Sequence, residues 1–270
     1  MTRGVIVAAL LAAACAGARP VPRSRALAGR LADDWRGGFP DVTVTPRLVL
    51  ESGEDLAMVA HVAGTHTGPF LGQGPTTRPV GLLVLVVASG HGKAVRVFDR
   101  RTVLGQLGKG PAVRPVAAAP AAPEEVAAQG SARERENLLV VDEADRLLGE
   151  KMIDELLALF AERAVVVDLA APRDVTSREA YVRGLRAFAA AFPDFTWEST
   201  DRWAAGSYVV DVVRWRGRHT GPLGDLRATG RKLELTEYLI WKLDKERVVK
   251  LWIFYDGADF LEQLGVGARR

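Results

Sequence analysis

Cysteine is almost missing. The 270 residues hold one, Cys15, so the chain can form no internal disulfide, and everything beyond its first segment lacks a thiol nucleophile. Charge of one sign is missing too: Lys and Arg total 36 against 33 Asp and Glu, and a net charge of +3 argues against a nucleic-acid face. The chain also lacks the Gly-x-x-x-x-Gly-Lys-Ser/Thr loop that cradles nucleotide phosphates. The apolar run over 4–14 is too short to span a bilayer. With 48% hydrophobic and 26% charged residues, general disorder and a multi-span membrane protein are both excluded.

What is present is a repeat. Gly217-Arg-His-Thr-Gly-Pro-Leu-Gly224 echoes Gly64-Thr-His-Thr-Gly-Pro-Phe-Leu-Gly72, with His66 and His219 separated by 153 residues. The same offset sets Phe39-Pro-Asp on Phe192-Pro-Asp, Gly53 on Gly206, Arg78 on Arg231 and Arg25 on Arg178. The chain is a tandem duplication, and its length suits two modest domains.

Residues 1–22 read as an export signal: Arg3, an apolar run, then small residues. Leu11-Ala-Ala-Ala-Cys15 matches a lipoprotein signal except that its Leu lies one place upstream, so Cys15 is the expected lipid acceptor. Ala16-Gly-Ala18 is a rival site for plain secretory cleavage. The first copy, 24–110, predicts a helix at 25–35 and strands at 42–50, 56–62, 80–87 and 94–99. An Ala- and Pro-rich stretch, 111–136, reads as a semi-extended linker that turns helical near its acidic end.

The second copy runs from 137 to 265. Leu139-Val-Val-Asp-Glu-Ala-Asp-Arg-Leu-Leu148 imitates the magnesium-binding strand of ATP-dependent helicases, but without a phosphate loop the apolar spacing favours two amphipathic helices broken at Gly149. A strand at 164–168 follows, then a helix over 177–192 with Thr176 as N-cap and Glu179 as its capping-box partner. Strands are expected at 196–203, 207–215, 233–243 and 248–255. Helices followed by a meandering sheet mean α+β.

Phe192-Pro-Asp, the His-Thr-Gly-Pro segment, Gly230-Arg231, Trp252-x-x-x-Asp256 and Gln263-Leu-Gly265 together resemble the SnoaL-like polyketide cyclases, or ester cyclases, of the nuclear transport factor 2-like superfamily. The resemblance covers both copies and leaves the first without its two opening helices. It implies two cone-shaped α+β domains, each a curved antiparallel sheet with helices on one face, paired through their sheets within the chain or in a homodimer. It also implies ring closure or isomerisation without cofactor or metal. By that resemblance Asp256 is the acid/base, the family's strand histidine is replaced by Trp241, and Asp168 takes an acidic position usually preceded by His, here Val167.

The residues themselves suggest a pocket. All four Tyr and five of the six Trp lie in the second copy, and an aromatic cavity with a few convergent polar groups suits a small apolar or aromatic ligand. The expected lining is Trp241, Tyr238, Trp252 and Phe254, with Glu237, His219 and Asp211 as polar contributors. A surface or structural role is the competing reading for Asp256 and His219, and Arg231 and Arg78 read as turn anchors. In the first copy two counts disagree, one setting Asp99 opposite Asp256 and the other Val103. Two functions stand side by side: an exported cofactor-free enzyme or ligand binder, or a non-catalytic envelope scaffold that meets a membrane only through a lipid on Cys15.

Overall fold

The computed structural model describes residues 23–90, 93–110, 114–116, 118 and 122–266. Residues 1–22, and with them Cys15 and the expected signal, lie outside the described residues.

In the first copy, α1 (Arg23–Arg36) buries Leu27, Leu31 and Trp35, whose spacing of four places them on one helical face. Four strands follow, β1 (Thr43–Ser52), β2 (Asp55–Thr65), β3 (Pro79–Ala88) and the short β4 (Val95–Val97), then α2 (Arg100–Gln106). The stretch expected to be a linker adds structure to both copies. It supplies β5 (Glu124–Ala127), parallel to β1, and the first turn of the next helix. The first sheet is ordered β4-β3-β2-β1-β5.

The second copy opens with α3 (Ala132–Gly149) and α4 (Ile153–Leu157), so the helicase-like segment is helical as its spacing predicts. A capping box starts α3: Ser131 Oγ accepts from the Glu134 N–H, and Glu134 accepts from the Ser131 N–H. Then come β6 (Phe160–Asp168), α5 (Arg178–Ala191), β7 (Thr196–Ala205), β8 (Tyr208–Arg218), β9 (Lys232–Asp244), β10 (Arg247–Phe254) and α6 (Gly257–Gln263). Ser177, not Thr176, caps α5, because its Oγ accepts from the Ala180 N–H while Glu179 pairs with Arg178. The order β6-β10-β9-β8-β7 makes β6 a parallel edge on an otherwise antiparallel sheet. Both copies are therefore α+β domains built on mixed five-stranded sheets.

Strand alternation gives each sheet two apolar faces. One packs under its own helices. The other meets the partner sheet in a shared core, where Leu50, Val59 and Leu85 join Val210, Ile240 and Phe254. The helix sides carry β10 directly into α6 and β4 into α2, and there the copies clasp each other. Asp99 caps α2 and also accepts from the Gly257 N–H at 3.1 Å, while Asp256 caps α6 and accepts from the Arg100 N–H at 3.1 Å. Asp99 is thus the counterpart of Asp256, which settles the two competing counts.

Candidate functional site

Inside the second copy, between its sheet and α3 to α5, lies a cavity of about 330 Å³. Alternation decides what faces it. Val166 and Asp168 of β6, Glu237, Leu239 and Trp241 of β9, and Ile253 with Tyr255 at the end of β10 point inward. Their neighbours Val167, Tyr238, Ile240, Trp252 and Phe254 point to the first sheet. Trp197, Trp215, Tyr181 and Phe188 complete an aromatic wall.

Among the described residues two carboxyl groups line this space, Asp168 and Glu237. Burial pushes Asp168 up to about 6, against the opposing pull of the Ala170 N–H that it accepts at 2.9 Å and of nearby Arg114. Burial likewise raises Glu237 to about 7, opposed by the Trp215 indole N–H that donates to its Oε1 at 2.8 Å and helped by the charge of Asp168. Tyr181 and Tyr255 are raised by burial and by these same acids, which keeps their hydroxyls protonated. The Tyr255 hydroxyl reaches Asp168 Oδ2 at 3.5 Å. The Trp241 indole N–H is buried and lacks a partner among the described residues, so a ligand acceptor would satisfy it.

Trp241 and Glu237 thus line the same cavity, and the other residues of the expected lining lie elsewhere. Tyr238, Trp252 and Phe254 belong to the core between the sheets, because residues one apart on a strand cannot share a face with Glu237 or Ile253. Asp211 shares Trp215's strand face but is sealed further along, accepting from Ser199 Oγ at 2.6 Å and Arg202 Nε at 3.2 Å. Arg202 in turn pairs with Asp142 and Asp145 of α3. Asp256 lies outside the cavity lining: its carboxylate caps α6 and forms an ion pair with Arg100 of the other copy.

His219 is a brace. Fully buried, it contacts Thr229 Oγ1 through Nδ1 at 3.2 Å, and its ring lies 5.1 Å from that of Phe192; His66 does the same with Thr76 and Phe39. Burial lowers the pKa of His219. Within the same motif the glycine is steric. A Cβ on Gly221 would sit 2.3 Å from the Ala190 carbonyl oxygen, and one on Gly68 2.0 Å from that of Gly37. Arg231 packs on Gly265 and Arg78 on Gly108, both at positive φ, while Gln263 and Gln106 clamp the backbone of Glu234 and Gly81. The shared motifs hold turns and helix ends in place.

The two copies differ where the cavity is. Repeat position by repeat position, Gly184 stands where the first copy has Leu31, Phe188 where it has Trp35, and Glu237 where it has Val84. A Cβ on Gly184 would meet nothing within 4 Å, whereas Leu31 is 1% exposed in a filled core. There Trp35 packs on Phe70 with ring centroids 4.7 Å apart. Among the described residues no cluster of His, Cys, Asp or Glu is arranged to hold a metal ion.

No curated protein matches the chain. Among solved structures, IdmH from Streptomyces antibioticus is 24% identical over 48% of this chain and 99% of its own, with a TM-score of 0.42. A SnoaL-like protein from Jannaschia sp. CCS1 is 17% identical over 50% of this chain and 94% of its own, TM-score 0.45. AclR from Streptomyces galilaeus is 17% identical over 49% of this chain and 82% of its own, TM-score 0.45. The family model for SnoaL-like polyketide cyclase matches twice, over 7–96 and 139–264, once for each copy of the repeat. Two matches that together cover most of the sequence place this chain in the SnoaL-like polyketide cyclase family.

Proposed function

We propose that the second copy binds a small apolar or aromatic carbonyl compound and moves a proton on it, as an isomerase or cyclase. The observation that carries this reading is the pair of half-buried carboxyls, Asp168 and Glu237, at the wall of one aromatic cavity, where desolvation raises the first to about 6 and the second to about 7. Between pH 6 and 7 the lower of the two is mostly ionised and the higher mostly protonated, the division of labour that acid–base catalysis needs. Asp168 takes the proton from the carbon beside the carbonyl. The electron pair moves onto the carbonyl oxygen, which Glu237 meets with its acidic hydrogen. Returning the proton to another carbon completes an isomerisation; attack of the enolate carbon on a second carbonyl closes a ring. The apolar wall excludes water and strengthens both contacts.

The test is hydrogen–deuterium exchange into 2-tetralone in D2O. The protein should accelerate exchange, with a maximum between pH 6 and 7, and Asp168→Asn should lower the rate on the order of 10²-fold or more. Equal rates for Asp168→Asn and wild type would remove Asp168 from the mechanism. Failure of the wild type both to exchange 2-tetralone and to bind 2-naphthol would favour the scaffold, a reading that the open cavity weighs against.

Export rests on residues 1–22. A second reading comes from the family match, which starts at residue 7 inside that segment. The 153-residue period sets residues 7–15 against β6 and Cys15 against Asp168, as the worn start of the first copy. Intact-mass measurement distinguishes the two. A lipid-modified or truncated chain supports export, and a chain that keeps residues 1–22 supports the second reading.

A further inference from the structure

A second hollow, of about 190 Å³, lies where the two sheets meet, and its chemistry is opposite to that of the aromatic cavity. The second sheet contributes one cross-strand row: register places Tyr208 beside Lys242 and Lys242 beside Lys250. Facing it, the first sheet contributes the row Glu124, Leu48 and Val59, with Arg47 alongside. Two lysines directly opposite each other on neighbouring antiparallel strands repel, and Arg47 adds a third positive charge. One carboxylate of the lining stands against them. Glu124 Oε2 accepts the Tyr208 hydroxyl at 2.7 Å and lies 3.6 Å from Lys242 Nζ.

Lys250 forms no ion pair among the described residues. Its ammonium sits 4.4 Å over the Trp252 ring, as that of Lys242 sits 4.8 Å over Tyr208. Desolvation, Arg47 and Lys242 all push its amine to lower pKa; Asp174 opposes them from a distance, itself held by Arg114 at 3.0 Å. Folding therefore gathers positive charge into a half-enclosed space and leaves it short of a counter-charge.

We infer that this hollow binds a small organic anion. Its carboxylate or phosphate head meets Lys250, Lys242 and Arg47, and its apolar part lies on Leu48, Val59 and the Trp252 indole. This site is separate from the aromatic cavity and does not depend on any reaction there.

Calorimetric titration with benzoate, phenyl phosphate and the neutral benzamide tests it on the full chain, in wild type, Lys250→Met and Arg47→Ala. Methionine keeps the unbranched stem against Trp252 and removes only the charge, and Arg47 is exposed, so both variants should stay folded with melting temperatures no lower than wild type. At least one of the two aryl anions should bind at one-to-one stoichiometry, at least about tenfold more weakly in each variant, and with benzamide silent. The tighter anion identifies the head group. Three results would overturn the inference: no binding of either anion, equal binding by the variants, which would put the ligand in the aromatic cavity, or benzamide binding as well as benzoate.

Discussion

Asp168 and Glu237 are costly residues for the fold that holds them. An Asp with an ordinary pKa of 3.8 in the unfolded chain and about 6 in the folded one keeps its proton on folding between those values, where the unfolded chain has already lost it. Raising the pH through that window therefore drains folded-state stability, and the loss is complete above pH 6. Asp168→Asn should raise stability at pH 8 by on the order of 2 kcal/mol and leave it unchanged near pH 3, as chemical denaturation at both values would show. A variant no more stable at pH 8 than at pH 3, relative to wild type, would mean that the carboxyl is hydrated. The sequence singles out Glu237 and Trp241 and places Asp168 by family resemblance. It misplaces Tyr238, Trp252 and Phe254 because a stretch rich in aromatics on both faces does not say which face is the hollow one. Alternation from Glu237 would have sorted them.

Among the elements, α5 and the His-Thr-Gly-Pro turn show two different uses of glycine. Gly184 sits within α5, where glycine costs about 1 kcal/mol against alanine, yet no neighbour crowds it. The space it leaves is the cavity. Gly184→Leu, which restores the residue of the first copy, should keep or raise the melting temperature and weaken 2-naphthol binding at least about tenfold; unchanged binding would place the ligand elsewhere. Gly221 has the opposite reason. Its Cα faces the Ala190 carbonyl so closely that Gly221→Ala should cost on the order of 2 kcal/mol or more, read from the urea midpoint, without touching the cavity. Both the strands and the turn motif were legible, because two copies of one sequence align themselves and expose what both need. Strand β5 was not, since Glu124-Glu-Val-Ala127 has little strand character and pairs only because the edge of β1 is free to receive it.

At the scale of the whole molecule, duplication has divided the work. The first copy fills its cone with Trp35, Phe70 and Leu31 and serves as the sheet against which the second leans. Asp256 belongs to that clasp, with Asp99 its mirror image across the two helix starts. Asp256→Asn should therefore cost about 1–3 kcal/mol in stability through the weakened bond to Arg100 and leave 2-tetralone exchange unchanged. A large fall in exchange with normal stability would return the catalytic role to Asp256.

In the second copy Asp168 and Glu237, both raised by burial, share the wall of one aromatic cavity, and the proposed chemistry depends on that pair. Carbon-13 NMR titration of the Asp168 and Glu237 carboxyl groups, assigned with Asp168→Asn and Glu237→Gln, measures this without any substrate. Midpoints near 6 and 7 are the result expected. Two ordinary titrations near 4 would show a wet or collapsed cavity and contradict the account.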